Sequence, residues 1–460
     1  MIASINPATG EPFARFDLHT PAEIEAKLDR AAAAQRRWRD ETLATRIGLL
    51  ERLAAKLSDQ GDTLAALITS EMGKPIGEAR AEVEKCARNC TFYAEHAPRM
   101  LADSAVPGVT DTVIAHQPLG VVLAIMPWNY PLWQVVRFLA PALAAGNGAI
   151  LKHAANVPQC ALAIERLAVE AGAPEGLFGN VFVEPESVAA LIADPRIAAV
   201  TLTGSTQVGA IVAAQAGAAL KKQVLELGGS DPFVVLADAD VEESAAMAVA
   251  ARFTNAGQSC VNAKRFIVEG RIADRFVEAF LAKTQALRMG DPADPVTTLG
   301  PLARANLRSA IHDQVKRSVA SGARLLTGGG IPDGPGYFYS PTVLDHVTPG
   351  MAAFDEETFG PAAAIVRAAD AEAAIALANR TSFGLGASIW TGDIDRGAAL
   401  ARRIDAGAVF VNAIVASDPR VPFGGIKQSG YGRELGELGL KEFTNAKTIR
   451  VAGSPDRSAA

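Results

Sequence analysis

The chain has 460 residues, of which 49% are hydrophobic and 20% are charged, and its formal net charge is −6 at pH 7. This length is too great for one ordinary core and predicts two or three domains, and the composition is that of a soluble globular protein. The mildly negative charge, without a basic stripe, argues against nucleic acid as a partner, and apolar runs such as 121–127 are too short to span a membrane.

The first hundred residues predict a strand–turn opening followed by helices. The opening occupies residues 5–16, and residues 21–103, which are rich in Ala, Glu, Arg and Leu, predict the helices. The first seven residues lack a basic segment followed by an apolar one, so we expect no secretory signal.

Four cysteines in a chain of this length do not form a disulfide framework, and they favour a reducing, cytoplasmic location. Cys86 and Cys90 are four residues apart and would share one face of a helix. With Glu82 and His96 nearby, that face could hold a metal ion. The spacing does not match the tighter zinc patterns, so we favour an amphipathic helix whose thiols pack inward, and we expect no metal.

From residue 111 the pattern changes to short apolar strands that alternate with helices. Strands are predicted over 111–118, 120–127, 148–152, 179–183, 197–204 and 222–227, and helices over 131–146, 158–171 and 206–217. This alternation is typical of parallel β-α-β units and predicts an open, doubly wound sheet. A second alternating set begins near residue 239 and carries Cys260 near the end of its first helix. We therefore expect two α/β halves, with ligands bound at the carboxyl ends of the strands.

The stretch RFTNAGQSCVNAKRF, residues 252–266, places Cys260 in a small, polar turn. Most unpaired cysteines behave as small apolar side chains and lie in cores. A glycine, a glutamine and a serine precede this one, and Asn255 and Asn262 flank it. That setting is typical of a thiol that other molecules can reach.

Three strand ends carry polar residues with two interpretations each. In VTLTGSTQVGA, Ser205 or Thr206 caps the following helix, whose N-terminal amides would also favour a phosphate. Glu226, between two leucines, is either a partly desolvated general base or a salt-bridged strand end. Asn129 either points its amide into a cleft or caps the helix that Pro131 begins.

Seven motifs occur in an order and with spacings that resemble the aldehyde dehydrogenase superfamily over nearly the whole chain. They are the turn at Trp128-Asn129, Lys152, Gly204 to Gly209, Glu226 to Gly229, Asn255 to Cys260, Glu356 to Pro361, and Pro422 to Gly425. The variants LKHAANVP, VLELGGSDPFVV and VASDPRVPFGGIKQSG look most like bacterial succinate-semialdehyde dehydrogenases.

The resemblance implies an α/β fold with two doubly wound parallel-sheet domains and a small β arm for oligomerisation. The expected dinucleotide-binding domain comprises residues 1–105 and 119–238, and the expected catalytic domain comprises residues 239–427. The oligomerisation arm and the C-terminal segment comprise residues 106–118 and 428–460. In relatives the arm, here 106–118 and 444–452, pairs with another subunit, and open strand edges favour association. We expect a homodimer or homotetramer, and a disordered tail over 453–460.

The resemblance makes Cys260 the nucleophile that attacks an aldehyde carbon, a step that needs the thiolate. The side-chain amide of Asn129 and the backbone N–H of Cys260 would hold the resulting oxyanion. Hydride transfer to a nicotinamide would leave a thioester, and Glu226 matches the base that activates water to release the acid. A glutamate at that position indicates hydrolysis rather than acyl transfer to coenzyme A.

The implied cofactor is NAD or NADP. Lys152 matches the lysine that hydrogen-bonds the adenosine ribose, and Trp128 and Ser205 match groups that contact the diphosphate. Glu357 matches the glutamate on the nicotinamide ribose, and Phe359 matches the ring packed beside it.

Gly204, Gly209 and Leu227 belong to the same implied cofactor site. Ala155 is a departure, because relatives that reject a 2′-phosphate often carry glutamate there. His153 lies close by in the sequence, with an uncertain charge at pH 7. We expect use of NAD with some tolerance of NADP.

Arg137 stands where semialdehyde-oxidising relatives carry an arginine that grips the distal carboxylate of the substrate. The alternative is a structural ion pair to a protein carboxylate. A second arginine of some relatives is replaced here by Thr254, and Arg420 or Ser417 could substitute for it. Trp133 and Ser417 complete the expected site for a small-molecule aldehyde.

The leading hypothesis is therefore NAD(P)-dependent oxidation of succinate semialdehyde to succinate. The alternative is a broad-range enzyme for other short-chain aldehydes or for semialdehydes such as glutarate semialdehyde, in which Arg137 is structural. The cofactor stretches argue against a cysteine esterase without redox chemistry. A non-catalytic scaffold would have no chemical need for Cys260, Glu226 and Asn129 together.

Overall fold

The computed structural model describes residues 1–452, and the tail predicted to be disordered, 453–460, lies outside the described residues. The chain forms two mainly parallel sheets with helices around them, a three-stranded antiparallel sheet and an N-terminal hairpin. The α/β fold class predicted from the alternation of short strands and helices is thus confirmed. Within residues 1–452, none of the helices combines the length and the apolar character that a membrane crossing needs.

The strands are numbered in chain order. They are β1 Ile2–Ile5, β2 Pro12–Phe16, β3 Ser104–Val106, β4 Val109–Pro118, β5 Val121–Met126, β6 Gly148–His153, β7 Phe178–Asn180, β8 Ile197–Thr203, β9 Lys222–Glu226, β10 Asp231–Val235, β11 Ala263–Glu269, β12 Arg324–Thr327, β13 Thr342–Asp345, β14 Ala362–Ala368, β15 Gly386–Trp390, β16 Ala408–Val411, β17 Gly430–Tyr431 and β18 Thr444–Arg450. The strand predicted over 179–183 begins one residue earlier and ends at Asn180.

The helices are likewise numbered in chain order. They are α1 Pro21–Trp38, α2 Leu43–Asp59, α3 Gly61–Met72, α4 Ile76–Met100, α5 Trp133–Ala144, α6 Pro158–Glu170, α7 Val188–Ala193, α8 Thr206–Ala218, α9 Val241–Phe253, α10 Gly270–Gln285, α11 Ala305–Ala320, α12 Ala352–Asp355, α13 Ala371–Asn379, α14 Ile394–Ala401 and α15 Gly436–Glu442. α1 begins with a capping box in which Thr20 and Glu23 satisfy each other's backbone amides. α4 buries Cys86 and Cys90 in the core, as predicted from their spacing.

The first sheet has the strand order β17-β9-β8-β5-β6-β7. Its strands are parallel except the short β17, which runs antiparallel to β9. The strand order reverses between β5 and β8, and in such sheets ligands bind outside the carboxyl ends of the strands at the point of reversal. The turns after β5 and β8 therefore face a natural binding crevice.

The second sheet has the order β12-β13-β14-β11-β10-β15-β16 and is parallel apart from β12. β10 lies at its centre, between β11 and β15. The division expected after residue 238 would leave β10 with the first sheet, so by hydrogen bonding the second half begins earlier than expected. The apolar pattern of one strand does not reveal which neighbours it pairs with.

The three-stranded sheet joins distant parts of the chain. β4 pairs with β3 on one side and with β18 on the other, from Pro118 opposite Thr444 to Thr112 opposite Arg450. Most side chains of β18 are exposed. These strands occupy the positions that the sequence predicts for the arm.

Candidate active site

Cys260 lies in the turn between α9 and β11, where the backbone adopts an uncommon conformation. Asn255 and Ala256 have φ values of 55° and 52°, and Gly257 follows with a φ of 74°. A left-handed backbone is strained for residues other than glycine, and a Cβ at Gly257 would overlap the carbonyl of Gly360. Such a turn persists only where its surroundings hold it.

Hydrogen bonds from two other elements hold the first part of this turn. The carboxylate of Glu78, on α4, accepts from the backbone N–H of Asn255 at 2.7 Å. The side-chain amide of Asn255 donates to the carbonyl of Asn129 at 2.8 Å and to that of Gln258 at 3.2 Å. The turn after β5 and the turn before the thiol are therefore fixed to each other.

Lys264 holds the second part of the turn. Its fully buried ammonium donates to the carbonyl of Ser259 at 2.9 Å and to that of Cys260 at 2.6 Å. Neither this residue nor Glu78 was predicted from the sequence. A lysine inside a strand usually indicates an exposed position. The spacing of four residues between Cys260 and Lys264 was therefore only a weak indication that Lys264 belongs to the site.

The Cys260 side chain forms part of the wall of two cavities. The first has a volume of about 200 Å³ and the second a volume of about 320 Å³. Burial raises the pKa of Cys260 to about 11, and the positive charges of Lys264 and Arg137 act against that rise. The thiol is therefore protonated at neutral pH, and a thiolate needs a base or further positive charge beside it.

Asn129 lies in the wall of the second cavity. Its Nδ2 donates to the carbonyl of Gln258 at 2.9 Å, which leaves one amide hydrogen for another acceptor. The alternative that Asn129 caps α5 is wrong. The carboxylate of Glu82 does so instead, accepting from the N–H groups of Leu132 and Trp133 at 2.9 and 3.0 Å.

Glu82 also forms a buried ion pair with Lys74. With one oxygen on the start of α5 and the other on this ammonium, its carboxylate is fully engaged. The thiols of Cys86 and Cys90, on the same helix, lie in the core cluster.

Glu226 ends β9, and its side chain is buried. Within residues 1–452 neither carboxylate oxygen has a hydrogen-bond partner, which differs from the salt-bridged strand end of the alternative interpretation. Burial raises the pKa of Glu226 well above its ordinary value, and the charge of Glu434 raises it further, while Arg137 and Arg433 oppose the rise. A Cβ at Gly424 would come within 2.7 Å of Oε1, so the PFGG stretch supplies the room for this carboxyl group.

The second cavity lies in the crevice where the strand order of the first sheet reverses. Its wall includes Trp128, Gly204, Ser205, Leu227, Glu357 and Phe359. Ser205 Oγ accepts from the N–H of Val208 at 3.4 Å and so caps α8. The remaining free amides at this helix start favour an anion.

Two glycines allow side chains of the crevice wall to pack closely against the backbone. A Cβ at Gly209 would overlap Leu227, and a Cβ at Gly228 would overlap the carboxylate of Glu357. That carboxylate accepts from the N–H of Gly229 at 2.9 Å. The sequence-predicted cofactor residues along this wall are thus brought together.

Lys152 and Ala155 lie farther along the sheet, at and just after the carboxyl end of β6. The side chain of Ala155 is exposed. His153 is buried: its Nε2 donates to the carbonyl of Pro131 at 2.9 Å, and its Nδ1 accepts from the N–H of Ala154 at 2.9 Å. Burial lowers the pKa of His153 to about 4, so this residue is neutral and supplies no charge for a 2′-phosphate.

The first cavity combines aromatic walls with two cationic side chains. Trp133, Arg137 and Ser417, the substrate residues predicted from the sequence, all lie in its wall. Lys85 lies there as well, and it was not predicted from the sequence. In the sequence of α4, the position of Lys85 is typical of a solvated residue on an amphipathic helix.

Arg137 forms the structural ion pair that the sequence left as the alternative. Its guanidinium pairs with Glu434, and the two side chains are only 2% and 3% exposed. Nη2 also donates to Thr203 Oγ1 at 3.3 Å, and the guanidinium carbon lies 4.8 Å from the ring centroid of Phe423. The charge of Arg137 is therefore largely balanced within the protein.

The loop before the PFGG stretch contributes Ser417 to the cavity but not Arg420. Ser417 Oγ accepts from Lys85 Nζ at 2.7 Å. Arg420 is 76% exposed and pairs with Asp418, so it does not substitute for the arginine missing at Thr254.

Comparisons with known proteins agree over nearly the whole chain. A family model described as the aldehyde dehydrogenase family matches residues 1–449. A succinate semialdehyde dehydrogenase (NAD(P)+) of Escherichia coli strain K12 is 51% identical over 447 residues, which cover 97% of this chain and 97% of the relative. A probable succinate-semialdehyde dehydrogenase (NADP+) of Synechocystis is 50% identical over 98% of this chain and 100% of the relative. The structure of succinic semialdehyde dehydrogenase from Streptococcus pyogenes in complex with NADP+ matches with a TM-score of 0.96 at 39% identity, covering 98% of this chain and 100% of that chain.

Proposed function

The chain belongs to the aldehyde dehydrogenase family, and on that premise we propose that it oxidises succinate semialdehyde to succinate with NAD or NADP. The observation that carries this proposal is the position of Cys260, whose side chain lies in the wall of two cavities. One cavity lies in the nucleotide crevice of the first sheet. The other carries cationic side chains suited to an acidic substrate.

In the first half of the proposed reaction, the thiolate of Cys260 attacks the aldehyde carbon and forms a thiohemiacetal. The free amide hydrogen of Asn129 and the backbone N–H of Cys260 donate to its oxygen. One such donor contributes about 3–4 kcal/mol to the transition state. The chemistry supplied by a bound nicotinamide is acceptance of the hydride from this carbon, and loss of that hydride leaves Cys260 as a thioester.

In the second half, Glu226 acts as the general base. It takes a proton from the water that attacks the thioester carbonyl, so that the C–S bond breaks, succinate leaves and the thiolate of Cys260 is restored. The unpartnered oxygens of Glu226 support this role, because they can accept from water without breaking a protein hydrogen bond. Burial raises the pKa of Glu226, which makes its carboxylate a stronger base than an exposed one.

The proposed cofactor site uses the residues predicted from the sequence. They are Trp128, Lys152, Ala155, Gly204, Ser205, Gly209, Leu227, Glu357 and Phe359. The exposed Ala155 places no carboxylate against a 2′-phosphate, which supports use of both cofactors. The names of the relatives, which print NAD(P)+ and NADP+, point in the same direction.

We further propose a cytoplasmic homodimer or homotetramer that assembles through the arm. The exposed side chains of β18 and the open strand edges of the three-stranded sheet support this assembly. The proposed domains follow the sequence prediction, with β10 moved to the catalytic domain because it pairs with β11 and β15.

The experiment that tests the function measures the reduced cofactor formed with succinate semialdehyde, glutarate semialdehyde and uncharged butanal. We expect kcat/KM for succinate semialdehyde to exceed that for butanal by about a hundredfold, which corresponds to roughly 2.7 kcal/mol of transition-state binding. Equal kcat/KM values for butanal and the semialdehydes would overturn the assignment of succinate semialdehyde as the substrate. Membership of the aldehyde dehydrogenase family would be unaffected.

A second candidate function is a broad-range aldehyde dehydrogenase for short-chain substrates. One observation favours it: Arg137, the expected carboxylate clamp, is already paired with Glu434. This candidate predicts that butanal and longer uncharged aldehydes are oxidised as efficiently as the semialdehydes.

A further inference from the structure

The first cavity contains a second cation besides Arg137. Lys85 reaches its wall from α4, and the same wall includes Trp133, Ser417 and Cys260. Within residues 1–452 its ammonium has no carboxylate within ion-pair distance, and its hydrogen bond goes to the hydroxyl of Ser417 at 2.7 Å. A cation beside a catalytic cavity without an acidic protein partner is suited to an acidic ligand.

The position of this ammonium is fixed by its neighbours. Nζ lies 4.3 Å from the centroid of the Trp133 ring, which is the distance range of a cation–π contact. Ser417 Oγ accepts from Nζ, so its own hydrogen remains free to donate to a second acceptor. Lys85 and Ser417 together present two donors to one place in the cavity wall.

We propose that Lys85, rather than Arg137, binds the distal carboxylate of the substrate, with the Ser417 hydroxyl as the second donor. This inference rests on the proposed function, because it names the group that recognises the charged end of a semialdehyde. The ion pair with Glu434 makes Arg137 part of the cavity wall and leaves its charge largely compensated.

The charge of Lys85 is compatible with this role. Burial, with a smaller effect from the nearby Arg137, lowers the pKa of Lys85 to about 8, so the amine still carries its proton at pH 7. A carboxylate bound beside it favours the charged form. A partly desolvated ammonium gains more from such a partner than an exposed one does.

The test compares Lys85→Met with Lys85→Arg in the full-length enzyme. Methionine keeps a long apolar side chain against Trp133 and removes the charge, and arginine keeps the charge. Arg88→Met is the matched control, because Arg88 follows one turn later on α4 with its side chain 66% exposed. Each variant is assayed with succinate semialdehyde and butanal, and succinate is measured as an inhibitor.

We expect Lys85→Met to lower the ratio of kcat/KM for succinate semialdehyde over butanal roughly 10- to 100-fold, and to weaken succinate inhibition by a similar factor. The change should appear mainly in KM. Lys85→Arg should restore most of the ratio, and Arg88→Met should leave it at the wild-type value.

The possible failures are distinguishable. If the wild-type enzyme does not prefer succinate semialdehyde, the proposed function fails. If it does, but Lys85→Met lowers activity on both substrates equally or leaves the ratio and the succinate inhibition unchanged, then Lys85 is structural and this inference is overturned alone.

Discussion

Arg137 and Glu434 form an ion pair in a wall that is almost closed to solvent, and they join α5 to the segment that follows β17. Burial raises the pKa of Glu434, and the guanidinium of Arg137 opposes that rise. A second buried carboxyl group, that of Glu226, lies close enough for its pKa to respond to both residues. The positive charge of Arg137 therefore offsets the repulsion between the carboxyl groups of Glu226 and Glu434 in this wall.

We predict that Arg137→Met lowers the free energy of unfolding by about 3–5 kcal/mol, because it leaves a buried carboxylate without its partner. The double variant Arg137→Met/Glu434→Leu should recover most of that loss. Denaturant unfolding of each variant measures the difference. The exposed pair of Arg403 and Glu372 supplies the control, since solvent screens this pair and Arg403→Met should leave the free energy of unfolding nearly unchanged. A single variant as stable as the wild type would contradict this account of the wall.

Glu226→Gln tests the assignment of the general base. The amide keeps the shape of the side chain but cannot take a proton from water. We expect steady-state turnover to fall about 10²- to 10⁴-fold while the first reduced cofactor per active site still forms rapidly. Rapid-mixing measurements of that first turnover separate the two halves of the reaction. Loss of the rapid phase together with turnover would place Glu226 in the first half and refute its role as the hydrolytic base.

Several parts of the fold and the site were predictable because their signals are local in the sequence. Alternating short strands and helices indicated parallel sheets, and the ordered motifs indicated which residues lie along the two cavities. The strained turn before Cys260 is also consistent with its small, polar sequence.

Apart from Lys264, the residues that were missed act through partners far away in the chain. Glu434 meets Arg137 only because the C-terminal segment returns to the first sheet through β17. Glu78 and Lys85 lie on a helix whose pattern is that of any amphipathic helix, and only packing shows that one face of α4 borders the site. β10 was not among the strands predicted from the sequence, and only its pairing with β11 and β15 places it in the second sheet.

Ala155→Glu tests the interpretation of the cofactor preference. A carboxylate at this exposed position would repel a 2′-phosphate, so KM for NADP should rise about tenfold or more while KM for NAD changes little. Ala155→Gln is the control, because it adds similar bulk without the charge. Initial rates with each cofactor at saturating aldehyde give the two constants. An equal rise in KM for both cofactors in both variants would show that cofactor binding depends on the bulk of the side chain at position 155 and not on its charge.

The reactivity of Cys260 in the cofactor-free enzyme should report its protonated state. A thiol with a pKa of about 11 is ionised in about one molecule in ten thousand at pH 7, against a few per cent for an ordinary cysteine. Because the raised pKa lowers the thiolate fraction at every pH below 11, alkylation by iodoacetamide should start slowly. Its rate should then increase about tenfold per pH unit between pH 7 and 9.5, without levelling off.

The labelled residue is identified with Cys260→Ser, because Cys86, Cys90 and Cys160 are buried and should react far more slowly in the folded chain. A rate that levels off below pH 9 would mean that the thiolate is stabilised without cofactor. Lys264 is one source of such stabilisation, since its ammonium donates to the carbonyl of Cys260 and its charge opposes the rise in pKa. In that outcome Lys264→Met should raise the pH at which the rate levels off. The effect of burial on the pKa of Cys260 would then be smaller than the opposing effect of Lys264.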